Sequence, residues 1–302
     1  MADTQISTMS EQDIEKIAKR QQITKIVTKV LLYAFLISMA FIVLFPFYWM
    51  IISSLKTFEE YSEPLPTFIP QFFDTHNYVE AFKVGNLAQL FLNTTFVGIV
   101  STLLSLVITI LSAFAFARLE FKGKNLLFAA LLATMMIPGE LFTITNFQTI
   151  HILGWPNTFH ALIWPFLVSV FYIYLLRQNF MQVPNELYLA AKVDGINDFK
   201  YLWKVMIPLA LPSIISITIL KMMGAWNTYI WPKLVLSKMD QSHWLITMGI
   251  RSANFYVDGS TTDIDIPVQM AAVTMVSIPL FLVFLFFRKY IMKGVSRSGI
   301  KG

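Results

Sequence analysis

The sequence contains no cysteine. Disulfides, zinc–thiolate sites and iron–sulfur clusters are therefore excluded, while the redox compartment stays open. Charge is scarce as well: Asp, Glu, Lys and Arg make up 14% of the chain, where a soluble domain carries roughly 25%. The apolar runs hold almost no carboxylates. That argues against a carrier coupled to protons or sodium, which needs a titratable or coordinating group near the bilayer midplane. A phosphate-binding loop is missing too; the string "KGKN" at Lys122 to Asn125 lacks the first glycine and the hydroxyl residue. Neither H-E-x-x-H nor G-x-S-x-G occurs, so no residue is assigned a catalytic role. No internal repeat or low-complexity block divides the chain, and nothing implies nucleic acid.

What fills the 302 residues is apolar: 56% are hydrophobic and the mean hydropathy is +0.62. The apolar residues come in long runs and not in the alternation of a membrane barrel, and a helical crossing needs about 20 of them. Six runs can be marked: Val27 to Ser53, Leu92 to Ala117, one from Leu126 through "MMIPGELF", Ala161 to Leu176, Leu209 to Val235, and Val268 to Phe287. Pro138-Gly139 is expected to bend the third run or end it early. The expected fold is an all-α integral membrane protein with six transmembrane helices.

Basic residues set the orientation. Lys16, Lys19, Arg20, Lys25 and Lys29 precede the first run, and Arg118, Lys122 and Lys124 join the second to the third. Arg177, Lys192, Lys200 and Lys204 join the fourth to the fifth; Arg288, Lys289, Lys293, Arg297 and Lys301 follow the sixth. With six crossings all four clusters fall on one side, which makes that side and both termini cytoplasmic. Residues 1–26 form an N-terminal segment too long and polar to open a cleaved signal peptide, so the first run is read as uncleaved. Ile14, Ile17 and Ala18 alternate with Lys16, Lys19 and Arg20 at helical spacing, consistent with an interfacial helix or with a solvated tail. His76, His151, His160 and His243 lack metal-ligand spacing. Lys221, in "TILKMMGAWNTY", is a cation inside an apolar run and must find a partner, water or a route to snorkel. A structural or gating role and a substrate contact are both open for it.

One polar segment interrupts this pattern: "PNELYLAAKVDGINDFKYLW", Pro184 to Trp203. Pro184 can start a helix, Glu186 sits near its positive end, and Asp194-Gly195 supplies a stop. A second helical piece leads through Pro208 and Pro212 into the fifth run. The result is a cytoplasmic helix-turn-helix whose Ala190-Ala191 pair presents little bulk, suited to docking in another protein's cleft.

In "LAAKVDGINDFKYLWKVMIPLALP" the residues Ala190, Ala191, Asp194, Gly195, Pro208 and Pro212 resemble the EAA loop of bacterial ABC-importer permeases. One departure stands out: Leu189 occupies the glutamate's place, and Glu186, one turn earlier, could replace it only if the helix is rotated. "LFPFYWMIISSLK", "FLNTTFVG", "MMIPGELFTITNFQTIHILGWPNT", "YIYLLRQNFMQVPNEL", "GAWNTYIWPKLV" and "GVSRSGIKG" narrow the resemblance to the second permease subunit of maltose- and multiple-sugar-type importers.

The resemblance implies a type-I transmembrane domain over residues 27–302 with its EAA loop at about 184–208. It implies a heterodimer with a second permease, two ATPase subunits that bind ATP and magnesium, and an external solute-binding protein. This chain itself would hold no cofactor or metal. The cargo would be a sugar, an oligosaccharide, with a non-sugar solute such as a glycerophosphodiester or a polyol as the alternative cargo and an ion-coupled secondary carrier as the alternative function. Coupling to the ATPase falls on Glu186, Leu189, Ala190, Ala191, Asp194 and Gly195, and the tail Gly299, Lys301 and Gly302 would reach the ATPase interface. A sugar path needs amides, hydroxyls and aromatic faces. Asn93, Thr94, Asn146, Gln148, Trp226, Asn227, Tyr229 and Trp231 have that chemistry, although helix packing uses the same groups. The loop Asn254 to Asp265 would reach into the binding protein.

Overall fold

The structure, a computed structural model, describes residues 11–253, 255–257 and 263–296, excepting the side chains of 11–18 and 291–296. The sequence ends Gly299, Lys301 and Gly302 lie outside it, as do Asn254 and residues 258–262 of the loop before the last helix.

Helix α1, Glu11–Ser53, has 43 residues. At 1.5 Å per residue that is about 64 Å, twice the bilayer's hydrocarbon thickness of about 30 Å. Between Glu11 and Phe45 there is no glycine or proline to stop it. Residues 11–26 therefore run on into the first apolar run as one continuous helix. Short helices α2 (Phe58–Tyr61) and α3 (His76–Val84) lead to α4, Leu87–Arg118. Along α4 a buried stripe of Leu90, Thr94, Val97, Ser101 and Ser105 recurs every three or four residues, mostly small or hydroxyl-bearing side chains that let helices approach closely. At Gly98 the approach is close: an added Cβ would lie 2.8 Å from the Met222 sulfur.

The next two apolar runs are broken. α5 (Lys124–Thr134) and α6 (Phe142–Ile152) meet at 82°, across the Pro138-Gly139 break anticipated from the sequence. α7 (Phe159–Ile163), extended by a 3-10 turn at Trp164–Phe166, meets α8 (Val170–Met181) at 45°. Helices α9 (Asn185–Val193) and α10 (Asp198–Tyr201) form the expected helix-turn-helix. A π turn, Leu202–Met206, then feeds α11, Ile207–Asn227. Pro208 has no amide hydrogen to give the Lys204 carbonyl, and the wider π turn absorbs that mismatch. The fifth span was expected to reach Val235; it ends at Asn227, and Ile230–Val235 forms a separate short helix, α12. Helices α13 (Ile246–Ser252) and α14 (Ile266–Ser296) complete the described residues. Among the described residues four helices are long and apolar enough to cross a membrane unbroken, and six segments are if each bent pair is one span.

α4 is the axis, packed against α8 and α11, while α11 and α3 pack against α14. The buried apolar residues divide into two clusters. One joins the start of α4 to α7, α12, α13 and α14 around Leu87, Trp231 and Leu245; the other joins the end of α4 to α8, α9 and α11 around Phe114, Phe180 and Tyr201. Outside them the surface is strongly apolar: Phe35, Phe41 and Leu44 on α1 are each at least 60% exposed. Monomeric soluble proteins rarely expose apolar patches beyond a few hundred Å², so a lipid surround suits this one.

Candidate functional site

The segment 184–206 is built by local rules. Pro184 precedes the first turn of α9, and at its other end Gly195 takes φ +73°. The Ile196 amide donates to the Ala191 carbonyl at 2.8 Å and the Gly195 amide to the Lys192 carbonyl at 3.1 Å. These paired bonds close the helix as a Schellman motif, which needs a left-handed residue where glycine stands. Asp194 is the C-cap, and Asn197 caps α10 by accepting from the Lys200 amide at 2.8 Å. Across the turn, Tyr188 Oη donates to Asp198 Oδ1 at 2.7 Å, and Lys192 Nζ meets the same oxygen at 2.7 Å. The Asp198 carboxylate raises the Lys192 pKa above its ordinary value.

The two faces of α9 differ. Tyr188 and Ala191 turn inward, Tyr188 against Tyr201 with ring centroids 5.1 Å apart and Ala191 into the cluster with Phe114. Ala191 is 7% exposed and packs in that cluster, unlike the exposed Ala190 expected to stand beside it on the docking surface. Glu186, Leu189, Ala190, Asp194 and Gly195 remain on the outside. Beside them stand residues that sequence reasoning missed, Val193 at 89% exposure, Phe199 and Trp203. Their signal was available as apolar residues at i+4 spacing in a polar loop: Leu189 with Val193, and Phe199 with Trp203.

Arg118 was read only as a topology marker. It lies 8% exposed at the end of α4, donating to the Phe180 carbonyl at 2.9 Å, to the Val183 carbonyl, and to Asn185 Oδ1 at 3.2 Å. One guanidinium therefore ties the end of α8 and the start of α9 to α4. Arg177 adds a bond to the Phe116 carbonyl at 3.0 Å and stacks on Phe128.

Toward the opposite end of α4 the residues expected along a sugar path are dispersed within this chain. Asn93 donates to the carbonyls of Ser242 and Trp244 at 2.8 and 2.9 Å and accepts from Gln89. Thr94 Oγ1 accepts the Ile246 amide at 2.9 Å. Both side chains are buried and committed to holding α13, whose N-cap, Leu245, has no side-chain acceptor of its own. Within this chain their polar groups are engaged in packing. Trp226 is likewise buried, against Phe91, and Asn227 bonds the Met223 carbonyl. Tyr229 lies between Lys233 and Arg251, and Asn146 and Gln148 sit apart on α6. Thr94→Val, which removes the acceptor for a first-turn amide, should lower stability by about 1 kcal/mol without changing transport KM. Thermal unfolding in detergent beside an uptake titration checks both.

A cavity lies between α4, α8, α11 and α12, with a volume near 400 Å³. Of the eight expected path residues only Trp231 lines it, joined by Ser101, Ser169, Tyr172, Lys221 and Thr228. Trp231 is fixed by donating its indole N–H to the Ala161 carbonyl at 2.8 Å. Lys221 Nζ donates to the Phe166 carbonyl at 2.6 Å, at the bend between α7 and α8 where a continuous helix would supply an amide.

Comparison with known proteins agrees with this architecture. A family model described as "Binding-protein-dependent transport system inner membrane component" matches residues 18–297. The arabinooligosaccharides transport system permease protein AraQ of Halalkalibacterium halodurans is 31% identical over 267 residues, covering 87% of this chain and 93% of its own. The diacetylchitobiose uptake system permease protein NgcG of Streptomyces coelicolor is 30% identical, covering 88% and 87%. The polygalacturonan/rhamnogalacturonan transport system permease protein YtcP of Bacillus subtilis is 29% identical, covering 90% and 97%. Among solved structures, a bacterial ABC transporter involved in the import of the acidic polysaccharide alginate superposes with a TM-score of 0.77 at 24% identity, over 93% of this chain and 98% of that one, and this similarity speaks for the fold.

Proposed function

Since the chain belongs to the family of binding-protein-dependent transport system inner membrane components, we propose that it is the permease subunit of an ATP-driven importer for an oligosaccharide delivered by an external binding protein. It is a membrane component and not the catalyst of ATP hydrolysis. The names of its relatives AraQ, NgcG and YtcP, all permeases for saccharides, support the cargo class. In this reading residues 27–302 form the transmembrane domain, the bent pairs α5–α6 and α7–α8 count as the third and fourth of six spans, and both termini face the cytoplasm of a bacterial cell. The clustering of Lys and Arg at one set of segment ends supports that orientation.

The observation that carries the coupling proposal is the 184–206 hairpin: rigid, pinned to α4 by Arg118, and presenting Leu189, Val193 and Phe199 to the aqueous side. Exposed apolar side chains on a capped helix are a docking surface for a protein partner. That partner is a pair of ATPase subunits holding ATP and magnesium; their closure moves the hairpin, and α4 and α11 move with it. A second permease completes the pore. With Leu189 where the family carries glutamate, the contact here is apolar, and Glu186 lies one turn away on the same side. The C-terminal residues Gly299, Lys301 and Gly302 are proposed as a second contact.

Purification from the native membrane in mild detergent, with mass spectrometry of the accompanying proteins, tests this. The expected companions are an ATPase, a second permease and a solute-binding protein. A chain recovered alone that transports after reconstitution without ATP would replace this reading with an ion-coupled carrier.

A further inference from the structure

The cavity beside Lys221 has the composition of a recognition site. A sugar ring offers an apolar face and a set of hydroxyls, and Trp231, with Phe166 and Tyr172, offers aromatic faces while Ser101, Ser169 and Thr228 offer hydroxyl partners. Its volume, near 400 Å³, suits a short saccharide. The remaining feature is charge. Lys221 reaches the cavity from the middle of α11, an apolar helix with no acidic residue between Ile207 and Asn227. Among the described residues it forms no ion pair; its one bond goes to the Phe166 carbonyl, which takes one of its three ammonium hydrogens. Intramembrane cations face cavities or counter-charges and mark functional sites.

Resting on the saccharide-permease reading, we infer that this subunit has its own cargo-binding cavity and that Lys221 pairs there with the carboxylate of an acidic sugar, a uronate. A single ammonium with hydroxyl neighbours matches a monoanion; a phosphate dianion calls for more positive charge than the cavity presents. The aromatic faces hold the ring, and the Phe166 carbonyl holds Lys221 at the bend, so the charge is fixed before cargo arrives.

The test uses the complete transporter in nanodiscs without its binding protein, with digalacturonate and its neutral counterpart digalactose as probes, followed by saturation-transfer NMR. The wild type is expected to bind digalacturonate roughly tenfold or more tightly than digalactose. Lys221→Gln keeps a donor for the Phe166 carbonyl but removes the charge, and should erase that preference while leaving digalactose binding in place. Lys221→Arg should retain it. Equal binding of both probes by the wild type would overturn the charge inference and leave the saccharide reading standing. Binding of neither probe, in a complex that still imports some oligosaccharide, would overturn the cavity as the cargo site. Loss of the second permease from the Lys221→Gln complex would reassign Lys221 to an ion pair between subunits, and a complex that moves no saccharide at all would instead defeat the reading on which the inference rests.

Discussion

Val193→Asp should leave the protein inserted and assembled with its fellow permease, yet reduce oligosaccharide uptake tenfold or more. Val193 is 89% exposed at the end of α9, so its replacement lies in the class of surface changes worth within about 0.5 kcal/mol of stability. The fold has no use for this valine; on the docking proposal a partner would. A carboxylate in the middle of an apolar contact must be desolvated without a counter-charge, and that cost falls on the complex alone. Gly195→Asp should act in the same direction. No atom lies within 4 Å of the position a Cβ would occupy, and the positive φ is tolerated by aspartate better than by most residues at a cost of about 1–2 kcal/mol. The new charge would project from the hairpin tip. Uptake assays paired with quantitation of the subunit in membranes separate lost coupling from lost protein. Normal uptake in both variants would remove the docking assignment.

The second large effect is expected from Arg118. Arg118→Leu strips the carbonyls of Phe180 and Val183 and the Asn185 amide oxygen of their charged donor, in a site almost closed to water. Bonds to charged groups contribute about 1.5–3 kcal/mol each, so a loss of roughly 3 kcal/mol or more is anticipated. Arg118→Lys keeps the charge but cannot fork to three acceptors and should fall between. Because the guanidinium ties α9 to α4, the loss should be mechanical as well as energetic. Hydrolysis of ATP by the assembled complex should persist while less sugar is moved per ATP. The unfolding temperature and the sugar-to-ATP ratio together decide this: if both stay unchanged, Arg118 does not transmit motion.

Much of the hairpin was legible because its ends are written in local chemistry. Pro184 and Asp194-Gly195 bound α9 as expected, since caps and left-handed glycines act over a few residues. The inward turn of Ala191 was not legible: which face of a helix is buried depends on α4 and α11, whose partner residues are distant in sequence. Asn93 and Thr94 were ambiguous for a chemical reason. An amide or hydroxyl in an apolar run serves interhelical bonding and sugar recognition equally, and the packing bonds to Ser242, Trp244 and Ile246 become visible only in the structure. The end of α11 at Asn227 was hidden because "TYIWPKLV" stays apolar past the break. Bends behave similarly. Pro138-Gly139 announces the 82° angle, whereas hydropathy passes smoothly over the 45° angle between α7 and α8. Arg118 shows the same limit, since a charge at a helix end reports sidedness from sequence and a hydrogen-bonded anchor only from coordinates.

A cysteine-free chain permits one decisive experiment, because a single introduced thiol is the only one in this chain. With Val193→Cys in the assembled transporter, a short thiol-reactive photo-cross-linker should capture the ATP-hydrolysing subunit, in a yield that changes when nucleotide is bound. If that thiol instead reacts freely with a bulky maleimide in the ATP-driven complex and captures no partner, α9 is an ordinary surface helix and the coupling account is wrong.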